Sequence, residues 1–326
     1  MALKVVITGM AGFIGFHTAI KLQESSEYEV YGFDNFNMYY DPKLKRDRAK
    51  HLKEKYEIKC KNLDLYDLHG LDKYIKKIKP HLVIHLAAMA GVRYSMDNAQ
   101  EYVDNNVTGT LNLIQVLEKH DIENVIYAST SCVMHGNPLP WKESDKLGPQ
   151  LSPYGYTKQL NEHMFHISKI NAAVGLRFFT VYGPWGRPDM ALFGFTDKIL
   201  NDKPIEVFNH GDMKRDFTYI DDIVDGINII TDNVCESILA HKPIREIYNI
   251  GNGRQVQLLD FIEIIEKELG KTSAKTMRPK HDADAKETWS DTTKIRQLGY
   301  NPKTPIEIGV KEFVQWYRNY YGSNQW

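Results

Sequence analysis

Short runs of aliphatic and β-branched residues alternate with longer amphipathic stretches through the first half of the chain. Leu3 to Thr8, Glu29 to Phe33, Glu57 to Leu63, Leu82 to Leu86, Asn124 to Ala128 and Val174 to Phe179 read as strands, since apolar runs of this length bounded by polar turns suit a sheet buried on both faces. Helical patterns lie between most of them. In Tyr102 to His120, Val103, Val107, Leu111, Ile114 and Leu117 recur at threes and fours, predicting one helix with one apolar stripe. Strand, helix and strand in repetition predict a parallel sheet covered on both sides. After about Tyr182 the regularity fails at Gly183-Pro184-Trp185-Gly186-Arg187-Pro188, and mixed helices and isolated short strands follow. The last pattern, Pro305 to Tyr321, places Ile308, Val310, Phe313, Val314 and Tyr317 on the buried side of a terminal helix. The expectation is a first domain over residues 1–180, with part of the later chain returning to it, and a smaller lobe over 181–326.

Composition narrows the function classes. The chain has 326 residues, 42% hydrophobic and 25% charged, enough to bury a large core. Its 41 basic and 42 acidic residues nearly cancel, so neither nucleic acid nor a membrane surface is an expected partner. The basic stretch Lys43 to Lys55 reads as a solvated helix. Cys60, Cys132 and Cys235 are odd in number and far apart, without metal-ligand spacing, which fits a reducing compartment. A strand pattern begins within three residues, leaving no room for a signal peptide, and no apolar run nears the roughly 20 residues of a membrane span, so a cytoplasmic protein is expected. The closest histidine pair, His163 and His166, lacks a third ligand; exposed polar positions account for the histidines better than a metal does.

Two motifs carry chemistry. Gly9, Gly12 and Gly15 sit between the first strand and a helical pattern beginning near Phe13, where small residues let backbone approach a pyrophosphate and the helix start offers unpaired N–H groups. The spacing is looser than Gly-x-Gly-x-x-Gly. Asp34 closes the next strand about twenty residues on, where a carboxylate accepts from an adenosine ribose and repels a 2′-phosphate, favouring NAD over NADP. Asp64 after the third strand and Leu86-Ala87-Ala88 after the fourth are further strand-end positions beside such a cofactor.

The second motif is Tyr154 and Lys158, one helical turn apart in Ser152-Pro153-Tyr154-Gly155-Tyr156-Thr157-Lys158. A phenol becomes a usable base only when neighbouring positive charge stabilises its anion. Ser152 can cap the helix and Pro153 can occupy its first turn. The decoy Tyr39-Tyr40-Asp41-Pro42-Lys43 has the same spacing, but Pro42 interrupts any helix across it. Ser129-Thr130-Ser131 at the end of the fifth strand supplies hydroxyls to hold a reacting oxygen, with Thr130 favoured.

In this order, these features closely resemble the extended short-chain dehydrogenase/reductase superfamily, in particular its nucleotide-sugar epimerases and dehydratases, over nearly the whole chain. Met89 to Ser95, Arg177 to Ala191 and Phe208 to Ile220 look like the UDP-glucuronate 4-epimerases. The resemblance implies an α/β protein with a doubly wound parallel (Rossmann) sheet and a smaller, mixed C-terminal lobe for a nucleotide sugar. It implies a tightly held NAD, a 4-keto sugar formed in passing, and a homodimer through helices including Tyr102 to His120 and Pro153 to Ile170. The expected cofactor contacts are Gly9, Gly12, Phe13, Ile14, Gly15, Asp34, Asn35, Asp64, Leu65, Leu86, Ala87, Ala88 and Asn106, with Tyr154 and Lys158. The expected substrate contacts are Arg93, Ser129, Thr130, Ser131, Thr180, Arg187, Phe208, Arg215 and Arg278; Arg215 would pair with the diphosphate, Phe208 would lie against uracil, and Arg187 would meet the sugar carboxylate.

Family dehydratases carry Asp-Glu directly after the threonine and decarboxylases a glutamate two residues after it; here Ser131 and Cys132 stand there. The chain departs from the pattern at Cys132, at Met89 and at Val133-Met134-His135-Gly136, which has one residue more than usual. All three border the pocket, so a UDP-glucose or UDP-N-acetylhexosamine 4-epimerase and a decarboxylase-like enzyme stay open as alternatives.

Overall fold

A computed structural model of the chain describes residues 2–322. Its first half is β1 (Leu3–Thr8), α1 (Phe13–Gln23), β2 (Tyr28–Asp34), α2 (Pro42–Tyr56), β3 (Cys60–Asn62), α3 (Leu68–Ile78), β4 (Leu82–His85), the short α4 (Tyr94–Asp97) and α5 (Ala99–Tyr102), α6 (Gly109–Lys119), β5 (Asn124–Thr130), α7 (Pro153–Ile167) and β6 (Ala172–Phe178). Then come β7 (Thr180–Tyr182), α8 (Ala191–Leu200), β8 (Ile205–Phe208), β9 (Lys214–Arg215), β10 (Phe217–Tyr219), α9 (Ile220–Leu239), β11 (Arg245–Ile250), β12 (Val256–Gln257), α10 (Leu258–Leu269), β13 (Lys275–Arg278), α11 (Thr293–Arg296) and α12 (Ile306–Gly322).

Seven parallel strands form the main sheet in the order β11-β6-β5-β4-β1-β2-β3. The chain winds outward from β1 through β2 to β3, then returns to β4 and winds the other way. This doubly wound Rossmann topology reverses between β1 and β4, and the crevice beyond the carboxyl ends of those strands is where such sheets bind ligands. Val5, Ile7, Leu82, Ile84, Ile126, Val174 and Leu176 on one side of the sheet belong to one core, and Val6, Val83, Val125 and Ala173 on the other belong to a second. Burial on both faces is why these strands are continuously apolar rather than alternating. The smaller sheets β10-β7, β12-β9 and β13-β8 follow β6 in the chain, and β11 closes the main sheet beside β6.

Four expectations need correction. The strand expected over Glu57 to Leu63 shrinks to Cys60–Asn62, because Glu57 is the left-handed C-cap of α2 (φ 61°). The helix expected over Tyr102 to His120 is interrupted by a π turn, Val103–Thr108, before α6. Each residue added to a helix turns it by roughly 100°, so the wider turn rotates the apolar stripe off its sequence phase. Val103 and Leu111 come out 40% and 44% exposed, while Leu113, Ile114 and Leu117 are buried. The basic helix α2 is not simply solvated, for Lys45 and Arg48 are buried. Arg48 donates to Ala11 O, the Tyr40 hydroxyl, Trp185 O and Gly186 O, tying the glycine turn to the segment after β7. Lastly, Ile308 on α12 is exposed; Val310, Phe313, Val314 and Tyr317 are buried as expected.

Candidate active site

The glycine turn is shaped by backbone contact. Gly9 has φ +69°, and a Cβ there would lie 2.8 Å from Ala87 Cα; Gly12 N–H donates to Gly9 O at 2.9 Å, and a Cβ on Gly15 would lie 2.3 Å from that same oxygen. Any larger side chain would fill the cradle. Helix α1 starts at Gly12 with no side-chain cap and no acidic residue in its first turn, so its positive end faces the cleft without a counter-charge of its own. Asp34 at the end of β2 is buried in the cleft wall, where its Oδ2 accepts Ala11 N–H at 3.2 Å and its Oδ1 accepts Phe36 N–H at 2.8 Å. Each oxygen keeps acceptor capacity for a ribose hydroxyl. Burial raises the Asp34 carboxyl, opposed by the Lys45 charge. Asn35 Nδ2 donates to Asp64 at 2.8 Å, bringing together two residues from the ends of β2 and β3. A dinucleotide's phosphates and adenosine ribose fit these donors and acceptors.

One continuous cleft brings together Gly9, Gly12, Phe13, Ile14, Gly15, Asp34, Asn35, Asp64, Leu65, Leu86, Ala87, Ala88, Ser129, Thr130, Ser131, Tyr154, Lys158, Thr180 and Arg187. Asn106 is not among its lining residues. It is fully buried, where Oδ1 accepts Met89 N–H at 2.8 Å and Nδ2 donates to Met89 O at 3.0 Å, so it braces the Met89 stretch of the wall.

Helix α7 starts as its sequence suggests: Ser152 Oγ accepts Gly155 N–H at 3.2 Å and Pro153 opens the first turn. Tyr154 and Lys158 project from one face into the cleft, and Lys158 is only 2% exposed. The decoy fails as expected, since Pro42 opens α2 and leaves Tyr39 and Tyr40 outside it. Burial pushes the Tyr154 phenol up to about 12, with Cys132 adding to the rise; a hydrogen bond with Thr130 and the Arg187 charge oppose it. Burial brings Lys158 down to about 8, opposed by the Glu162 carboxylate. Burial thus favours the protonated phenol, and its anion is favoured only by positive charge brought close to it.

The three hydroxyls part company. Ser129 Oγ donates to buried Glu162 Oε1 at 2.5 Å, and Glu162 is also gripped by Arg177, Nε to Oε1 and Nη2 to Oε2, both at 2.9 Å. The Ser129 hydroxyl proton is thus committed to Glu162, while the residue still lines the cleft. Thr130 and Ser131 remain beside Tyr154 in the cleft.

Arg93, Phe208, Arg215 and Arg278 lie outside the cleft lining. Arg93 stacks over the Phe208 ring at 3.7 Å and pairs with Asp284 at 2.7 Å. Arg215 donates to Lys214 O, Lys286 O and Ala285 O, and the Asp284 charge acts on it. Arg278 is the β13 partner of Phe208 in β8 and pairs with Glu206. These four gather around Phe208 and Asp284 rather than beside Tyr154.

The sequence reading missed Asn37, Tyr39, Tyr40, Lys45, Phe178, Phe179 and Met190 in the cleft wall. Lys45 Nζ donates to Asn37 O at 2.9 Å and to its Oδ1 at 2.6 Å, fastening the segment 35–40 along the cleft. The aromatic pair dismissed as a decoy was the signal, since two adjacent tyrosines ahead of a helix need something to cover. Two histidines also differ from expectation. His85 is buried between Thr8 Oγ1 and Thr110 Oγ1, His17 is half-buried against Pro184 O, and desolvation lowers both to about 3, so both are neutral. Among the described residues no cluster of three His, Cys, Asp or Glu side chains could hold a metal ion. None of their helices is long and apolar enough to cross a membrane.

The fold and the cleft are those of a dinucleotide-dependent enzyme, with a tyrosine and a lysine one helical turn apart in the cleft wall. Comparison with known proteins narrows this further. The chain belongs to the NAD dependent epimerase/dehydratase family, which it matches over residues 5–251. It is 42% identical to Protein CapI of Staphylococcus aureus, covering 98% of this chain and 99% of that one. It is 38% identical to the UDP-glucuronate 4-epimerase of Thermodesulfobacterium geofontis, covering 95% of each. The crystal structure of UDP-glucuronic acid 4-epimerase from Bacillus cereus, in complex with UDP-glucuronic acid and NAD, matches with a TM-score of 0.90 at 34% identity, over 98% of this chain and all of that one.

Proposed function

We propose that the protein is an NAD-dependent UDP-sugar 4-epimerase that interconverts UDP-glucuronate and UDP-galacturonate. The observation that carries this reading is one cleft in which Thr130, Tyr154 and Lys158 share a wall with the glycine turn and with Arg187. The bound cofactor supplies hydride exchange at C4 of the sugar. Tyr154, as phenolate, takes the O4 proton; Thr130 donates to that oxygen; Lys158 lies one turn along the same helix face, where its charge favours the anion. Once C4 is a ketone, the sugar ring turns over, Tyr154 returns the proton, and the alcohol is restored with inverted configuration and no net redox change.

Asp34, beside Asn35 and Asp64, takes the adenosine ribose, and its charge disfavours a 2′-phosphate. Gly9 to Gly15 take the pyrophosphate. Phe208 and Arg93 provide the nucleobase end, Arg215 takes the diphosphate and Arg278 flanks it. Thr180, Ser131 and Arg187 face the sugar and its carboxylate. A 4-keto uronate is a β-keto acid and tends to lose carbon dioxide. Cys132 offers no carboxylate to assist that loss, and the neighbouring hydroxyls and arginine hold the acid without bringing a base to it.

In this reading the dinucleotide-binding unit is residues 1–180 with α9 and β11 added, and the remainder binds the nucleotide sugar. The enzyme works in the cytoplasm as a homodimer and supplies an activated uronic acid for polysaccharide synthesis. The exposed Val103, Leu111, Tyr156 and Ile167 on the π turn, α6 and α7 are the surface offered for the partner copy.

Proton NMR of a panel of UDP-sugars incubated with the purified protein tests the reading. UDP-galacturonate from UDP-glucuronate, without carbon dioxide or free NADH, is expected. Inversion confined to neutral UDP-sugars, or conversion to UDP-xylose, would refute it.

A further inference from the structure

Arg187 faces the cleft, yet its own chain already gives it a carboxylate. Nε donates to Asp189 Oδ1 at 3.0 Å and Nη2 to Asp189 Oδ2 at 2.5 Å, a bidentate grip on the side edge of the guanidinium. The Tyr39 hydroxyl, 150 positions away in sequence, donates to Asp189 Oδ2 at 2.9 Å and anchors that carboxylate. Tyr39 and Arg187 line the cleft, and Asp189 is held against both without lining it. The outer edge of the guanidinium, Nη1 with the second Nη2 hydrogen, meets no carboxylate among the described residues, and Arg187 lines the cleft, so that edge retains donors that a ligand carboxylate could use.

A uronate bound bidentately to an unshared arginine would be held firmly in one orientation. The epimerisation proposed above requires the opposite halfway through, because the keto ring must leave one orientation and take up another. We propose that Asp189 is a built-in competing carboxylate, which pairs with Arg187 from within the chain and weakens its hold on the sugar carboxylate enough for the ring to turn. The inference rests on the UDP-glucuronate reading.

Magnitudes favour competition over mere scaffolding. A sugar carboxylate on the outer edge would stand about 6 Å from that of Asp189, and at an effective dielectric of about 20 the repulsion weakens binding about a hundredfold. The Asp189 side chain is 25% exposed, so solvent screening reduces this to about tenfold. Releasing Arg187 from its clamp acts the other way through side-chain entropy, but the Tyr39 ring and the cleft wall still confine it.

The test uses the NAD-loaded enzyme with Asp189→Asn and, as a second variant, Asp189→Ser. Dissociation constants for UDP-glucuronate and UDP-glucose are measured by calorimetry, and kcat on UDP-glucuronate by NMR. Both variants should bind UDP-glucuronate about tenfold more tightly, bind UDP-glucose as the wild type does, and turn over UDP-glucuronate about tenfold more slowly. A residue that only positions Arg187 would instead give weaker UDP-glucuronate binding. That result, an equal shift for both sugars, an unchanged kcat, or loss of NAD from both variants would overturn the proposal. Failure of the wild type to invert UDP-glucuronate would remove the underlying function as well; with an active wild type, the variants bear on Asp189 alone.

Discussion

Replacing Glu162 with glutamine should be among the most damaging single changes available to this protein. Glu162 and Arg177 have side chains only 4% and 3% exposed, joined by two hydrogen bonds of 2.9 Å, with Ser129 as a third partner. Glutamine keeps the shape but leaves the guanidinium without its counter-charge and turns an amide donor toward an arginine donor. Breaking a buried pair in this way costs about 3–5 kcal/mol, because the leftover charge stays out of water. The exposed pair Lys50–Glu54, at 3.9 Å, is an internal control, since Glu54→Gln should cost about 0.5 kcal/mol or less. Urea unfolding followed by tryptophan fluorescence compares the two. Pairing Glu162→Gln with Arg177→Met should recover a large part of the loss, since the penalty lies with the stranded cation. A loss below about 1 kcal/mol for Glu162→Gln, or no recovery in the double variant, would refute the reasoning. The same change removes a charge that opposes the desolvation of Lys158, so the lysine loses its proton more readily and turnover at neutral pH should fall as well.

Tyr154→Phe should fold and retain NAD while turnover drops by about a thousandfold or more, as read by NMR; a variant within tenfold of wild type would remove the phenol from the mechanism. Gly15→Ala drives a Cβ to 2.3 Å from Gly9 O, so the NAD-to-protein ratio released on denaturation should fall well below that of the wild type, and full occupancy would contradict the cradle. Lys158 titrates near 8 when folded and at 10.5 in an ordinary setting, so the unfolded chain binds the extra proton between those values. Ligand-free protein should therefore gain about 3 kcal/mol from this group as pH rises from about 8 to about 10.5. Lys158→Met should lack that gain in denaturant titrations across the same range, and an identical slope in both proteins would show that the lysine is not desolvated.

Features set by local chemistry could be read from the chain, whereas those that depend on distant partners could not. Strands β1, β4, β5 and β6 announced themselves because burial on both faces demands largely apolar runs, β2 did so around its exposed Glu29, and the start of α7 because a serine cap and a proline are local devices. The same locality exposed the glycine turn. The π turn was hidden because one added residue leaves no mark in composition while rotating everything after it. Strand β11 escaped because Arg245 and Glu246 at its start are exposed and its pairing with β6 is remote in sequence. Nothing local shows that the Ser129 hydroxyl meets Glu162, 33 residues away. The contact of Asp189 with the Tyr39 hydroxyl spans 150 positions and leaves no local mark either.

Buried Arg48 holds carbonyls from both sides of the cleft, those of Ala11, Trp185 and Gly186, with the Tyr40 hydroxyl as a fourth acceptor. Widening the mouth on that side means parting these bonds together, with no solvent in place to replace them. A dinucleotide enclosed there would exchange far more slowly than sugars come and go and would behave as a prosthetic group. An enzyme that carries its own oxidant and recovers it within each cycle is insulated from the redox balance of its surroundings, so its output would follow sugar supply alone.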